Sequence, residues 1–147
     1  MNLALRTLAP RFALAAAAAA MTLAGAASAQ AGMLTTVTVK NNTAYPMTFR
    51  SPSGQILGTV SPNPPGVAPI NGGTSIFTVN STYSNIASIH FYFENGSRGC
   101  KFDTSYTTSG GYTKAATSSG STYVSCTATL TSFNSITHDY TITFTLN

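Results

Sequence analysis

Two histidines, three acids and two cysteines carry most of the reactive chemistry open to residues 30–147 of this 147-residue chain. A Ser-His-Asp hydrolase needs a base within hydrogen-bond reach of its nucleophile and a carboxylate behind that base. His138 and Asp139 are neighbours in an alternating segment, so they point to opposite faces and cannot pair. His90 faces Lys101 or Asp103 on the outer side of a hairpin. No Gly-x-Ser-x-Gly elbow is present. Glycoside hydrolysis needs two carboxyl groups flanking one bond. Glu94 and Asp103 sit on one hairpin but far apart along it. Phosphate-loop and dinucleotide fingerprints are absent. These residues read as a non-enzymatic protein with no cofactor and no metal.

Cys100 and Cys126 are the only cysteines. A structural metal site wants four ligands. In an oxidising compartment two cysteines most simply form one disulfide. The loop between them gives that bond about 3.5 kcal/mol in the chain-entropy account.

Residues 104–123 carry Gly, Ser, Thr and Tyr, with Lys114 the only charge after Asp103. Aromatic rings set among small hydrogen-bonding residues are the composition of an adaptable binding loop. Tyr106, Tyr112 and Lys114 are therefore the expected ligand contacts. The proline-rich stretch over residues 62–69 is the expected second wall. The ligand class stays open: a glycan, a lipid or a protein.

The elements that must position these groups are strands. Thr35, Val37 and Val39 alternate with Thr36, Thr38 and Lys40, a period of two. Tyr45, Met47 and Phe49 alternate with Pro46, Thr48 and Arg50, and Pro46 marks an edge strand. Ile56, Leu57 and Val60 suggest a short third strand, residues 61–73 a loop, and Phe77 and Val79 a further strand. Residues 86–94 form the strongest strand. Asn95-Gly96 then predicts a two-residue hairpin turn, since both residues tolerate positive φ. Folding there places Glu94 opposite Ser97, Phe91 opposite Cys100 and Ile89 opposite Phe102. Ile89, Phe91, Phe93, Cys100 and Phe102 then share an inward face, with His90, Tyr92, Lys101 and Asp103 outside. Val124, Cys126, Ala128 and Leu130 share another inward face, as do His138, Tyr140, Ile142, Phe144 and Leu146. The fold expected is all-β: an antiparallel two-sheet β-sandwich of about 8–9 short strands with one disulfide. Alternate Thr at 127–131 and 141–145 reads as solvent-facing, because an ice-binding face needs a repeated flat scaffold and the chain has no repeat.

Residues 1–29 read as a signal peptide. Arg6 and Arg11 precede an apolar run over residues 12–25, and Ala27-Ser28-Ala29 offers a small-x-small cleavage site. The run is short for a bilayer span, which takes about 20 residues. Residues 30–147 then form a single domain, secreted or periplasmic, with no transmembrane segment. Although the whole chain carries +4, its mature part has Lys40, Arg50, Arg98, Lys101 and Lys114 against Glu94, Asp103 and Asp139. Five scattered bases form no nucleic-acid footprint, which needs a clustered stripe.

Val37-Thr38-Val39-Lys40-Asn41-Asn42-Thr43, then Met47 and a Gly/Pro-rich loop before Phe77, resembles the start of the aegerolysins, small β-sandwich proteins that bind membrane lipids. The resemblance covers less than half of residues 30–147. The chain contains no Trp, so that family's Trp-containing motif is missing and none of its lipid-site residues carries over. The single disulfide, the strand content and the alternating C-terminal segment are also similar to pilus subunits. Those keep the disulfide near the N-terminus and a Tyr next to last, where this chain has Leu146. The two resemblances imply, respectively, lipid binding and membership of a surface assembly. The residues themselves point first to an exported binding or envelope-associated sandwich that acts through its end loops.

Overall fold

A computed structural model describes residues 32–52 and 55–147. The leader expected over residues 1–29 lies outside the described residues. Period-two alternation dominates the described sequence, and it produces nine strands: β1 (Leu34–Asn41), β2 (Thr48–Arg50), β3 (Thr59–Ser61), β4 (Gly73–Asn80), β5 (Ile86–Asn95), β6 (Arg98–Thr107), β7 (Gly111–Ser118), β8 (Cys126–Phe133) and β9 (Tyr140–Leu146). They form a five-stranded sheet in the order β3-β4-β1-β9-β8 and a four-stranded sheet in the order β2-β5-β6-β7. The apolar faces of the two meet in one core.

One pairing departs from the antiparallel expectation. β1 and β9 run parallel, with Val37 beside Ile142 and Val39 beside Phe144. The first and last strands thus meet at the centre of the five-stranded sheet. Nearly the whole described chain serves as the long connection that parallel neighbours require.

The β5–β6 hairpin turns one residue later than the Asn95-Gly96 signal suggests. Asn95 pairs with Arg98, Phe93 with Cys100 and Phe91 with Phe102. Gly96 has φ +56° and Ser97 does not share that region, so the positive φ falls at the first central position, which a type II′ turn gives to glycine. Every expected partner is displaced by two positions, an even number, so each side chain keeps its face.

The expected third strand is two separate contacts. Ile56 bridges to Ile89 of the four-stranded sheet, whereas Thr59–Ser61 pairs with β4 of the other. Gly58 lies between them at φ +143°, and a Cβ there would sit 2.2 Å from the Asn80 carbonyl oxygen. Glycine lets the chain change sheets at this point.

Phe91 is the hub of the core. Its ring lies 5.3–6.1 Å from those of Phe49, Phe77, Phe93, Phe102 and Phe144, within the range of favourable aromatic pairs. Ile142 and Phe144 are fully buried, and Leu130 packs against them from the β8 edge. Cys100 and Cys126 are bonded, with Cα atoms 6.0 Å apart. The bond fastens β6 of one sheet to β8 of the other.

The inter-sheet space also holds a polar group. Thr104, 2% exposed, hydrogen-bonds through Oγ1 with the Tyr112 and Tyr140 hydroxyls, both at 3.3 Å. Burial holds the Tyr140 phenol up and pushes the Tyr112 phenol up to about 12, with the Thr104 bond partly opposing both shifts.

Candidate functional site

The sandwich has two ends. At one lie the β4–β5 loop, the β6–β7 turn, the β8–β9 loop and the approach to β1. Thr108 N donates to the Asn85 carbonyl and Met33 N to the Tyr83 carbonyl, tying these segments together.

The β8–β9 loop, residues 134–139, is built around Asn134. Its Oδ1 accepts from the backbone N–H groups of Ile136 (2.9 Å) and Thr137 (3.2 Å), and its carbonyl accepts from His138 N (2.8 Å). This is the turn an Asn side chain makes with its own following backbone. Asp139 fixes the far side. Its Oδ2 accepts from the Thr137 hydroxyl at 2.8 Å, and its Oδ1 from Leu34 N at 2.7 Å.

His138 belongs to this loop and not to the last strand, contrary to the sequence expectation. Its φ is +63°, a conformation in which His, Asn and Asp are enriched among non-glycine residues. The ring stacks on Tyr106, centroids 5.0 Å apart and planes 29° apart, with Phe133 beyond it at 6.4 Å. The Asn-Ser-x-Thr-His-Asp run between Phe133 and Tyr140 was the legible turn signal for this loop.

Beside His138 is an open cleft of about 460 Å³, lined by Gly32, Ser84, Asn85, Thr108 and residues 136–139. Ligand pockets commonly measure about 300–1,000 Å³. Its apolar rim is Ile136, which is 87% exposed on a loop held at both ends. Tyr83, 52% exposed, stands on the neighbouring loop.

None of the three expected contact residues lies in a loop. Tyr106 is a β6 residue, 8% exposed; its ring stacks on His138 but does not line the cleft. Tyr112 pairs with it across β6–β7 and packs edge-on against Tyr140 at 5.1 Å. Lys114 is exposed on β7, opposite Thr104. Only Thr108 of that hairpin lines the cleft. The proline-rich loop over residues 62–69 is at the opposite end, where Ala68 bridges to Met47, so it cannot form a second wall with the β6–β7 turn.

The outer face of the four-stranded sheet holds the other polar cluster. His90 stands directly opposite Asp103, and Tyr92 opposite Lys101. His90 Nδ1 is hydrogen-bonded to Asp103 Oδ1, and His90 Nε2 lies 3.2 Å from the Tyr92 hydroxyl. In a hydrolytic triad a serine hydroxyl would occupy the place Tyr92 takes here. Among the described residues no group of three or more His, Cys, Asp or Glu could hold a metal ion, and no helix is long and apolar enough to cross a membrane.

No protein-family model matches the chain, and no curated protein matches it.

Proposed function

We propose that this is an exported, non-enzymatic binding protein that takes its ligand at the loop end of the sandwich, in the cleft beside His138. One observation carries the reading: the hydrogen-bonded 134–139 loop holds Ile136 out in solvent, 87% exposed, at the rim of a cleft of about 460 Å³. A large apolar side chain on a fixed loop loses little order on binding and gains buried area. Export is supported by the leader pattern and by the bond between Cys100 and Cys126. The alternative, binding at a lipid interface, draws on Ile136 and Tyr83 standing exposed on adjacent loops, where an amphipathic ring suits the headgroup level.

Screening the purified, disulfide-intact protein on glycan and lipid arrays identifies the ligand. Ile136→Asp is expected to lower its affinity at least tenfold while the melting temperature stays put. Unchanged affinity in that variant removes the cleft from the reading. Co-sedimentation with neutral phosphatidylcholine vesicles, lost in Ile136→Asp, selects the lipid alternative.

A further inference from the structure

Half of the charged side chains among the described residues gather in one place. Arg50, Glu94, Lys101 and Asp103 surround Tyr92 on the outer face of the four-stranded sheet, with His90 beside them. The outer face of the five-stranded sheet is different. It carries Thr36, Thr38, Thr129 and Thr143, and among its described residues Lys40 alone is charged.

The cluster is a connected network. Arg50 Nη1 lies 3.0 Å from Glu94 Oε1, and the guanidinium carbon is 6.0 Å from the Tyr92 ring centre. The Tyr92 hydroxyl meets His90 Nε2 at 3.2 Å, His90 Nδ1 meets Asp103 Oδ1, and Lys101 Nζ lies 3.5 Å from Asp103 Oδ2. Exposed ion pairs add little stability, typically about 0–1 kcal/mol each. Stability does not account for assembling five ionisable groups around one ring.

The network is held in place yet retains hydrogen-bonding capacity. A guanidinium has five N–H donors, an ammonium three, and a carboxylate about four acceptor positions. The Arg50, Lys101, Glu94 and Asp103 contacts use a minority of these. Every member stands on a strand, and sites on strands are positioned more accurately than sites on loops. A depression of about 420 Å³, lined by Arg50 and Glu94 of the cluster together with Thr48, Phe49, Asn95 and Gly96, lies on the turn side of the network.

The chemistry of the face selects its ligand. Two cations and two carboxylates cancel, so a polyanion gains no net attraction, and nucleic acids and sulfated polymers require one. An apolar partner would have to desolvate charged groups without replacing their bonds. A neutral polyhydroxylated molecule meets both demands: its hydroxyls donate to the carboxylates and accept from Arg50 and Lys101, and the C–H side of its ring covers Tyr92.

We infer that the face formed by Arg50, His90, Tyr92, Glu94, Lys101 and Asp103 is a binding site for a neutral glycan, separate from the loop-end cleft.

The probe is an array of neutral hexose and N-acetylhexosamine oligosaccharides, followed by titration of the best-retained one into the full, disulfide-intact protein. Tyr92→Ala is expected to weaken binding at least tenfold, and Glu94→Gln and Asp103→Asn at least threefold each, with melting temperatures close to the parent. Thr143→Ala on the opposite sheet is expected to leave affinity unchanged. Three results overturn the inference: no neutral oligosaccharide retained, affinity unaltered in folded Tyr92→Ala, or sulfated analogues binding more tightly in a salt-dependent way. Loss of glycan binding in Ile136→Asp, with Tyr92→Ala silent, would assign the glycan to the cleft instead.

Discussion

His138 stacks on Tyr106 with their ring planes 29° apart, although its backbone is left-handed at φ +63°. A side-chain contact between β6 and the β8–β9 loop thus coexists with a backbone conformation that costs about 1–2 kcal/mol for a residue with a Cβ. Glycine would relieve the backbone and lose the stack, whereas alanine would lose the stack and keep the strain. His138→Ala is therefore expected to be less stable than His138→Gly by about 1 kcal/mol. Urea unfolding of the two variants measures the difference, and a more stable alanine variant contradicts the assignment.

Phe144 is fully buried against Phe91 and Phe102, while Thr143 beside it faces outward. Phe144→Ala should cost about 3–5 kcal/mol, from lost transfer energy and the cavity it leaves. Thr143→Ala should cost less than about 1 kcal/mol. Similar losses from the two would refute the face assignment.

The Cys100–Cys126 bond crosses from one sheet to the other over a sequence separation of 26. Replacing both by Ser should lower stability by about 3.5 kcal/mol in the chain-entropy account. Calorimetry of the double variant tests the size of the effect. Intact mass with and without reduction tests the bond, and two free thiols in the purified protein would refute it.

The Tyr112 phenol is pushed from 10.0 to about 12 by burial, the Thr104 bond lowering it again in part and Tyr140 nearby raising it. A raised folded-state value means the neutral phenol is favoured in the fold. Its contribution is complete below pH 10.0 and is lost as the pH climbs towards 12. Tyr112→Phe has no such proton to lose. Its stability, relative to its own value at neutral pH, should fall less steeply across that window. Parallel alkaline titrations followed by circular dichroism decide it, and equal slopes would show that Tyr112 is not the titrating group.

Lys114 stands in the middle of an edge. β2 and β3 are edge strands of three residues each, and β8 is interrupted by a register shift between Leu130 and Ser132. β7 is eight residues long and pairs with β6 without a register shift. A Lys on a long edge strand discourages strand addition from a second molecule. Lys114→Val should associate more strongly with rising concentration than the parent does. Sedimentation velocity reads this directly, and a monomeric variant at high concentration would rule it out.

The sequence by itself determined which side chains face inward. Strand side chains alternate with a period of two, and local composition reveals that period wherever apolar and polar residues take turns. The faces of Phe91, Cys100 and Phe102 therefore survive a turn that forms one residue beyond the Asn-Gly signal, because the partner displacement is even. The disulfide follows from the same parity. Only the tertiary structure decided the rest. The parallel meeting of β1 and β9 joins residues a hundred positions apart, as with Thr35 and Tyr140, and local propensity says nothing about such a pairing. The Gly, Ser, Thr and Tyr of residues 104–118 suit a mobile loop or a half-exposed strand equally well. The choice was made by β6, whose extended length gave β7 a ladder to join. His138 fitted the alternating pattern of the last strand, but the hydrogen bonds of Asn134 and Asp139 drew it into a turn and laid its ring on Tyr106. The cleft therefore depends on contacts between distant elements, and no single segment of the chain encodes it.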